Sequence, residues 1–199
     1  MGLTLMLLVP LFGGCATRAY PPAPAVAENP AKFDYLIGPG DNVSIAVWRN
    51  PDVSQSVPVR PDGKITMPLV EDLQASGKTP SQLARDIEKA LSKYIQEPIV
   101  TVIVTGFVGP FTQQVRVIGQ AARPQALPYR ENMTLMDVLI AVGGITDFAA
   151  GNRASILRIA GGKQQQVSVR LEDLIKGGDV SANVEMQPGD VLVIPESWF

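Results

Sequence analysis

The sequence predicts an α+β fold made of two small β-rich domains, the first of which carries one packed helix. Alternating apolar residues indicate short strands along most of the chain after Tyr35. Helical spacing is confined to a few short stretches, two of which begin at a threonine that suits an N-cap. The same Pro-Gly-Asp turn precedes a strand near each end of this region, at residues 39–41 and 188–190. We therefore expect either two related β-rich units or one common turn used twice.

The first half contains three predicted strand regions. Val43, Ile45 and Val47 alternate after the first Pro-Gly-Asp turn and indicate a strand with one buried face. The pair Asp62-Gly63 predicts a two-residue turn in a hairpin over residues 58–68. The apolar run over residues 99–104 is rich in β-branched residues and indicates a central strand. We expect Trp48, which follows the first strand, to close the core; the alternatives are stacking on a sugar ring and contact with a partner.

A helix is predicted between the hairpin and the apolar run. Thr79, Pro80 and Gln82 have the spacing of a capping box with proline at the first helical position. The apolar residues that follow recur at helical spacing and are expected to pack on the sheet. They are Leu83, Ile87, Leu91 and either Tyr94 or Ile95.

Residues 106–110 interrupt the strand pattern, and we place a domain boundary there. Residues 114–119 begin a second set of strands, and a helix is predicted from Thr134 to the pair Gly143-Gly144. Strands over residues 154–159 and 166–169, a brief helix over 170–176 and a closing strand within 187–195 complete the second half. The buried face of the helix is expected to consist of Leu135, Val138, Leu139 and Val142.

The N-terminal residues predict an exported chain with a lipid anchor. Residues 3–12 are apolar and uncharged over the length of a signal-peptide core, and residues 1–14 form the predicted signal peptide. Gly13 and Gly14 precede Cys15, the one cysteine of the chain, in a pattern that resembles a bacterial lipobox. We expect cleavage between Gly14 and Cys15, acylation of Cys15, and a Pro- and Ala-rich linker over residues 15–34. The alternative is a free cysteine buried behind an apolar strand.

The residue inventory argues against most enzyme classes. The 17 basic and 19 acidic residues leave no basic excess to bind nucleic acid. The chain has no histidine, which excludes a Ser-His-Asp triad and histidine metal sites, and an acylated Cys15 offers no thiolate. We therefore predict no catalytic residue, no cofactor and no metal. The acidic residues beside turn-forming positions are interpreted as turn residues: Asp34, Asp41, Glu71, Asp72 and Asp190.

Four motifs in a fixed order resemble the export domain of the bacterial polysaccharide export protein family, here over residues 35–106. They are the turn at 37–41, the hairpin at 60–70, the capped helix from Thr79 and the strand at 97–104. Residues 112–199 resemble the SLBB-like β-grasp domain that follows in this family, through segments 115–120, 134–146 and 187–195. The terminal residues IPESWF resemble the subgroup associated with exosortase (PEP-CTERM) clusters.

The resemblance implies a homo-oligomeric ring, anchored by lipid at the periplasmic face of the outer membrane, that conducts an exopolysaccharide or capsule polymer. It implies an inner-membrane polysaccharide co-polymerase that regulates chain length as a partner. Because the sequence ends four residues after Pro195, we also expect a separate outer-membrane β-barrel. The alternatives are a monomeric lipid-anchored module that binds a ligand or saccharide, and an envelope hydrolase that the residue inventory disfavours. Trp198 and Phe199 are candidates for partner docking or for simple packing.

Overall fold

Two separate hydrophobic cores organise the chain. The structure is a computed structural model, and it describes residues 21–23, 33–160 and 162–197. The buried residues of the first core lie between Ile37 and Val102, and those of the second lie between Val115 and Ile194. Each core is built from strands and one or two short helices, so the α+β prediction is confirmed.

The first domain contains a three-stranded antiparallel sheet, a separate hairpin and one helix. Its elements are β1 (Asn42–Val47), β2 (Gln55–Pro58), β3 (Lys64–Met67), β4 (Val70–Gln74), α1 (Pro80–Leu91) and β5 (Val100–Gly106). In the sheet the order is β2-β1-β5, and β3 pairs with β4 in the hairpin.

Helix α1 forms as its sequence predicts. The Thr79 side chain accepts a hydrogen bond from the Gln82 backbone, and the Gln82 side chain accepts one from the Thr79 backbone, which completes the capping box. Leu83, Ile87 and Leu91 are fully buried against the sheet. At the end of this face Ile95 packs on the core, whereas Tyr94 is exposed.

The strand pairing of this domain differs from the prediction in two respects. The turn at Asp62-Gly63 forms, and the Arg60 N–H donates to the Lys64 carbonyl across it at 2.9 Å, but the ladder of β3 is made with β4. The run around β5 is an edge strand, not a central one, because β1 lies between β2 and β5. Glu71 and Asp72 belong to β4, where turn roles had been expected.

The second domain is a five-stranded sheet covered by two helices. Its elements are β6 (Gln114–Gly119), β7 (Ala126–Pro128), α2 (Leu135–Val142), β8 (Ser155–Ala160), β9 (Lys163–Ser168), α3 (Leu171–Ile175) and β10 (Val191–Ile194). The strand order is β7-β6-β10-β8-β9; β10 runs parallel to β6, and the other pairs are antiparallel. The short strand β7 was not predicted.

Helix α2 also begins and ends where its sequence predicts. Thr134 and Asp137 form a second capping box, and Gly143 ends the helix in the left-handed conformation at φ 78°. All four residues predicted for the buried face are buried: Leu135, Val138, Leu139 and Val142.

Candidate interaction surface and interdomain junction

The face of the β2-β1-β5 sheet that points away from α1 is exposed and carries no charge. Three pairs of residues lie side by side on this face. Ser44 is opposite Ile103, and Ala46 is opposite Thr101. The third pair is Trp48 and Ile99, just beyond the strands, where the Trp48 backbone N–H donates to the Ile99 carbonyl at 2.9 Å. None of these six residues is charged, and we call them the uncharged face.

The uncharged face exposes three large apolar side chains. Trp48 is 66% exposed, Ile99 60% and Ile103 55%. The expectation that Trp48 closes the core is therefore wrong: Val43, Ile45 and Val47 point inward, so the next residue points outward. Aromatic residues surrounded by uncharged neighbours are typical of the centre of protein–protein interfaces.

Helix α1 covers one end of the free edge of β5. The Val100 N–H donates to Glu88 Oε1 at 2.9 Å, and the Val100 carbonyl accepts from Arg85 Nη2 at 3.2 Å. Arg85 and Glu88 also form an ion pair across one turn of α1. These contacts satisfy the backbone N–H and carbonyl groups of Val100 at the free edge of β5. Farther along β5, the edge lies next to Thr101 and Ile103 of the uncharged face.

The two domains are joined by a buried carboxylate. Asp41 is 0% exposed, and its Oδ1 accepts hydrogen bonds from the backbone N–H groups of Val108 and Gly109, both at 2.7 Å. Its Oδ2 accepts from the Gly38 backbone at 2.8 Å and from the Tyr35 hydroxyl at 2.5 Å. The carboxylate thus ties the segment before β1 to the segment after β5.

Two adjacent glutamines extend this junction into the second domain. Gln113 accepts from the Leu36 backbone and donates to the Asp34 carbonyl, while the buried Gln114 donates to the carbonyls of Val108 and Gly109. The residues that join the domains were not predicted. The break in the strand pattern at residues 106–110 marked their location but not their partners.

The second Pro-Gly-Asp turn repeats the geometry of the first around a different partner. In each turn the carboxylate accepts from the backbone three residues earlier, Gly38 for Asp41 and Gln187 for Asp190. Asp190 is also 0% exposed, but Arg158 Nε and Nη2 bind it at 2.9 and 2.7 Å. The turn roles predicted for both aspartates are confirmed.

A surface pocket lies between β7 and α2 in the second domain. Its volume is about 440 Å³, within the range of small-molecule sites. Its lining combines polar and apolar side chains: Leu127, Pro128, Arg130, Glu131, Asn132, Met133, Asp137, Ile140 and Ala141. This mixture could contact both the hydroxyl groups and the apolar ring faces of a sugar.

The residues predicted for anchoring and docking lie outside the described part of the chain. They are Gly14, Cys15, Trp198 and Phe199. Within the described ranges, no group of three acidic residues is placed to hold a metal ion. In the same ranges, none of the helices has the length and apolar character that crossing a bilayer requires.

Each half of the chain matches the model of a known protein family. Residues 29–105 match the model described as "Polysaccharide biosynthesis/export protein", and residues 113–194 match "SLBB domain". An export domain followed by an SLBB domain, on two adjoining cores, defines the class of polysaccharide export proteins. The chain belongs to the bacterial polysaccharide export protein family.

Relatives with curated names are longer than this chain. It is 27% identical to the EPS I polysaccharide export outer membrane protein EpsA of Ralstonia nicotianae, over 81% of this chain and 47% of the relative. It is 26% identical to the exopolysaccharide production protein ExoF of Rhizobium meliloti, over 82% and 41%. It is 23% identical to the polysialic acid transport protein KpsD of Escherichia coli, over 85% and 29%. The chain thus spans about half, or less, of these relatives.

Proposed function

We propose that this protein is a non-enzymatic component of a machine that exports a polysaccharide across the bacterial envelope. The observation that carries the proposal is the pairing of the two domains in family order, held together by the junction at Asp41. The names of the relatives, which concern polysaccharide export and transport, support it. Expression in a strain that lacks its own copy of the gene should restore surface polysaccharide, and failure to do so would contradict the role.

The protein acts as a homo-oligomeric ring that surrounds the polymer. A closed ring requires head-to-tail contacts between unlike surfaces of neighbouring subunits. The uncharged face supports such a contact, because it exposes Trp48, Ile99 and Ile103 and none of its six residues is charged.

The ring is tested on the detergent-extracted full chain by size-exclusion chromatography with light scattering. Ile103→Lys places a charge on the uncharged face and should convert the ring to monomers and abolish export. Val180→Lys is the matched control, because Val180 is an exposed apolar residue of the second domain. A monomeric parent protein would refute the ring, and a ring that persists in Ile103→Lys would refute this face as its contact.

The ring is anchored by acylated Cys15 to the periplasmic face of the outer membrane, after cleavage between Gly14 and Cys15. Its partners are an inner-membrane chain-length regulator and a separate outer-membrane β-barrel. Metabolic labelling with a fatty acid should label the parent protein but not Cys15→Ser. Cross-linking in cells should capture the inner-membrane partner.

The final aromatic pair, Trp198 and Phe199, docks on a partner. Truncation after Ser197 should reduce export while leaving the oligomer intact. Unchanged export in the truncated protein would eliminate the docking role.

The second candidate is a monomeric, lipid-anchored saccharide-binding module, which the pocket between β7 and α2 favours. Titration with oligosaccharides cut from the exported polymer distinguishes the two functions. The module predicts a monomer with saturable binding that is weakened by Arg130→Ala, whereas the ring predicts a large oligomer without a tight site.

A further inference from the structure

A short piece of the N-terminal linker lies along the edge of the second domain. The Ala23 N–H donates to the Ser168 carbonyl at 3.1 Å, and the Ser168 N–H donates to the Pro21 carbonyl at 2.8 Å. Pro22 and Ser168 are therefore bridge partners in a parallel arrangement, and Ala23 packs against the second core. Residues 21–23 extend the sheet beyond β9, where a freely extended linker had been expected.

The export domain joins the same sheet at its opposite edge. The junction residues Gln113 and Gln114 lead into β6, and Phe33 packs on Tyr129, just after β7, with ring centroids 5.0 Å apart. Strand β7 is one edge of the sheet and β9 is the other, with β6, β10 and β8 between them. At about 4.8 Å per strand spacing, the two edges lie about 19 Å apart.

The length of chain between the anchor and β9 is short. Cys15 precedes Pro21 by six residues, which reach at most about 20 Å when fully extended. Without the pairing, the distance would be set by the chain up to Phe33, the next described residue, which is 18 residues from Cys15 and corresponds to a reach of about 60 Å. Pairing at β9 thus reduces the possible distance between anchor and folded domain about threefold.

We propose that the β9 edge of the second domain faces the lipid surface, held there by residues 21–23, and that the export domain points away from that surface. The proposal rests on the proposed acylation of Cys15. The linker then acts as a short clamp that orients the protein, not as a spacer that lets it rotate freely.

The test measures fluorescence quenching of single-cysteine labels by quenchers in the bilayer, with the acylated full chain reconstituted in vesicles. One label replaces Lys163 at the start of β9, and the other replaces Glu71 in the export domain; both residues are exposed. We expect quenching at position 163 and little at position 71. Ala23→Pro removes the N–H that donates to Ser168 and should abolish this difference, whereas Ala27→Pro, outside the described pairing, should preserve it.

Each result has one meaning. Equal quenching at the two positions, or a difference that survives Ala23→Pro, overturns the clamp while leaving anchoring in place. Absence of quenching at both positions also overturns the clamp, and flotation with the vesicles then tests the anchor: a protein that floats is still anchored, whereas one that fails to float, like Cys15→Ser, shows that the proposed envelope attachment is wrong as well.

Discussion

The Tyr35 hydroxyl donates a 2.5 Å hydrogen bond to Oδ2 of Asp41, and this contact lies where the two domains meet. The Tyr35 ring also meets the edge of Phe107 at 5.3 Å between centroids. Residues from before β1 and after β5 are therefore bound to one carboxylate. A charge buried without a cationic partner is stable only when its oxygens are saturated by donors, and Asp41 has four.

Asp41→Asn should destabilise the protein by about 2–4 kcal/mol. The substitution replaces one acceptor oxygen with an NH₂ group, which faces backbone N–H groups and leaves them without an acceptor. Urea unfolding measures the loss. Asp34→Asn is the matched control, since Asp34 is exposed and lies in the same segment. Equal stability of the two variants would mean that the carboxylate does not hold the junction.

Tyr35→Phe should cost about 1 kcal/mol at neutral pH, and the cost should decline in alkali. Burial, followed by the hydrogen bond to Asp41 and the charge of that group, raises the pKa of the Tyr35 hydroxyl above its ordinary value. A group whose pKa is raised on folding stabilises the protein fully below its unfolded pKa of about 10 and loses that contribution as the pH rises. Unfolding curves from pH 7 to 11 should therefore converge for parent and variant; a constant gap would contradict the assignment.

The sequence predicted local structure well where neighbouring residues decide it. Both Pro-Gly-Asp turns and the N-caps at Thr79 and Thr134 are determined within four residues, and each forms. The partners of the two aspartates could not be predicted, because Gly109 and Arg158 are brought to them by tertiary folding. β4 was missed since its exposed Glu71 and Asp72 hide a strand pattern.

The candidate surface was only partly predictable. Alternation along β1 places Trp48 on the outer side, and following this period one residue further would have identified it. The apolar run of β5 was interpreted as central because both of its faces are apolar. Ile99 and Ile103 are instead exposed. The local pattern shows that both faces of the strand are apolar, but only the tertiary fold decides whether another part of the chain covers the outer face.

Arg158→Met should destabilise the protein by about 3–5 kcal/mol, because it leaves the charge of Asp190 buried without its cation. The double variant Arg158→Met with Asp190→Asn should be more stable than Arg158→Met alone, since the second change removes the uncompensated charge. Guanidinium unfolding of the two singles and the double completes the cycle. Strictly additive costs would show that the pair is not coupled.

Trp48→Ala should leave the free energy of unfolding unchanged within about 0.5 kcal/mol, because the side chain is mostly exposed in the monomer. If the uncharged face joins subunits, the same change should weaken the oligomer. Val47→Ala is the contrasting variant: Val47 is buried, so its truncation should lower monomer stability. A large stability loss in Trp48→Ala would place the tryptophan in the core after all.

The two capping boxes differ in one titratable group, which gives them different pH dependence. Asp137 accepts from both the side chain and the backbone of Thr134, and these hydrogen bonds lower the pKa of its carboxyl group. A lowered pKa stabilises the folded state above the unfolded value of about 3.9, and this contribution is lost as the pH falls through the folded value. Thr134→Ala should therefore cost about 1 kcal/mol at pH 7 and less in acid.

Thr79→Ala is the matched control. Its partner Gln82 does not titrate, so this variant should cost about the same at both pH values. Thermal unfolding at pH 7 and in acid checks the pair, and parallel pH profiles would show that Asp137 does not contribute through its charge.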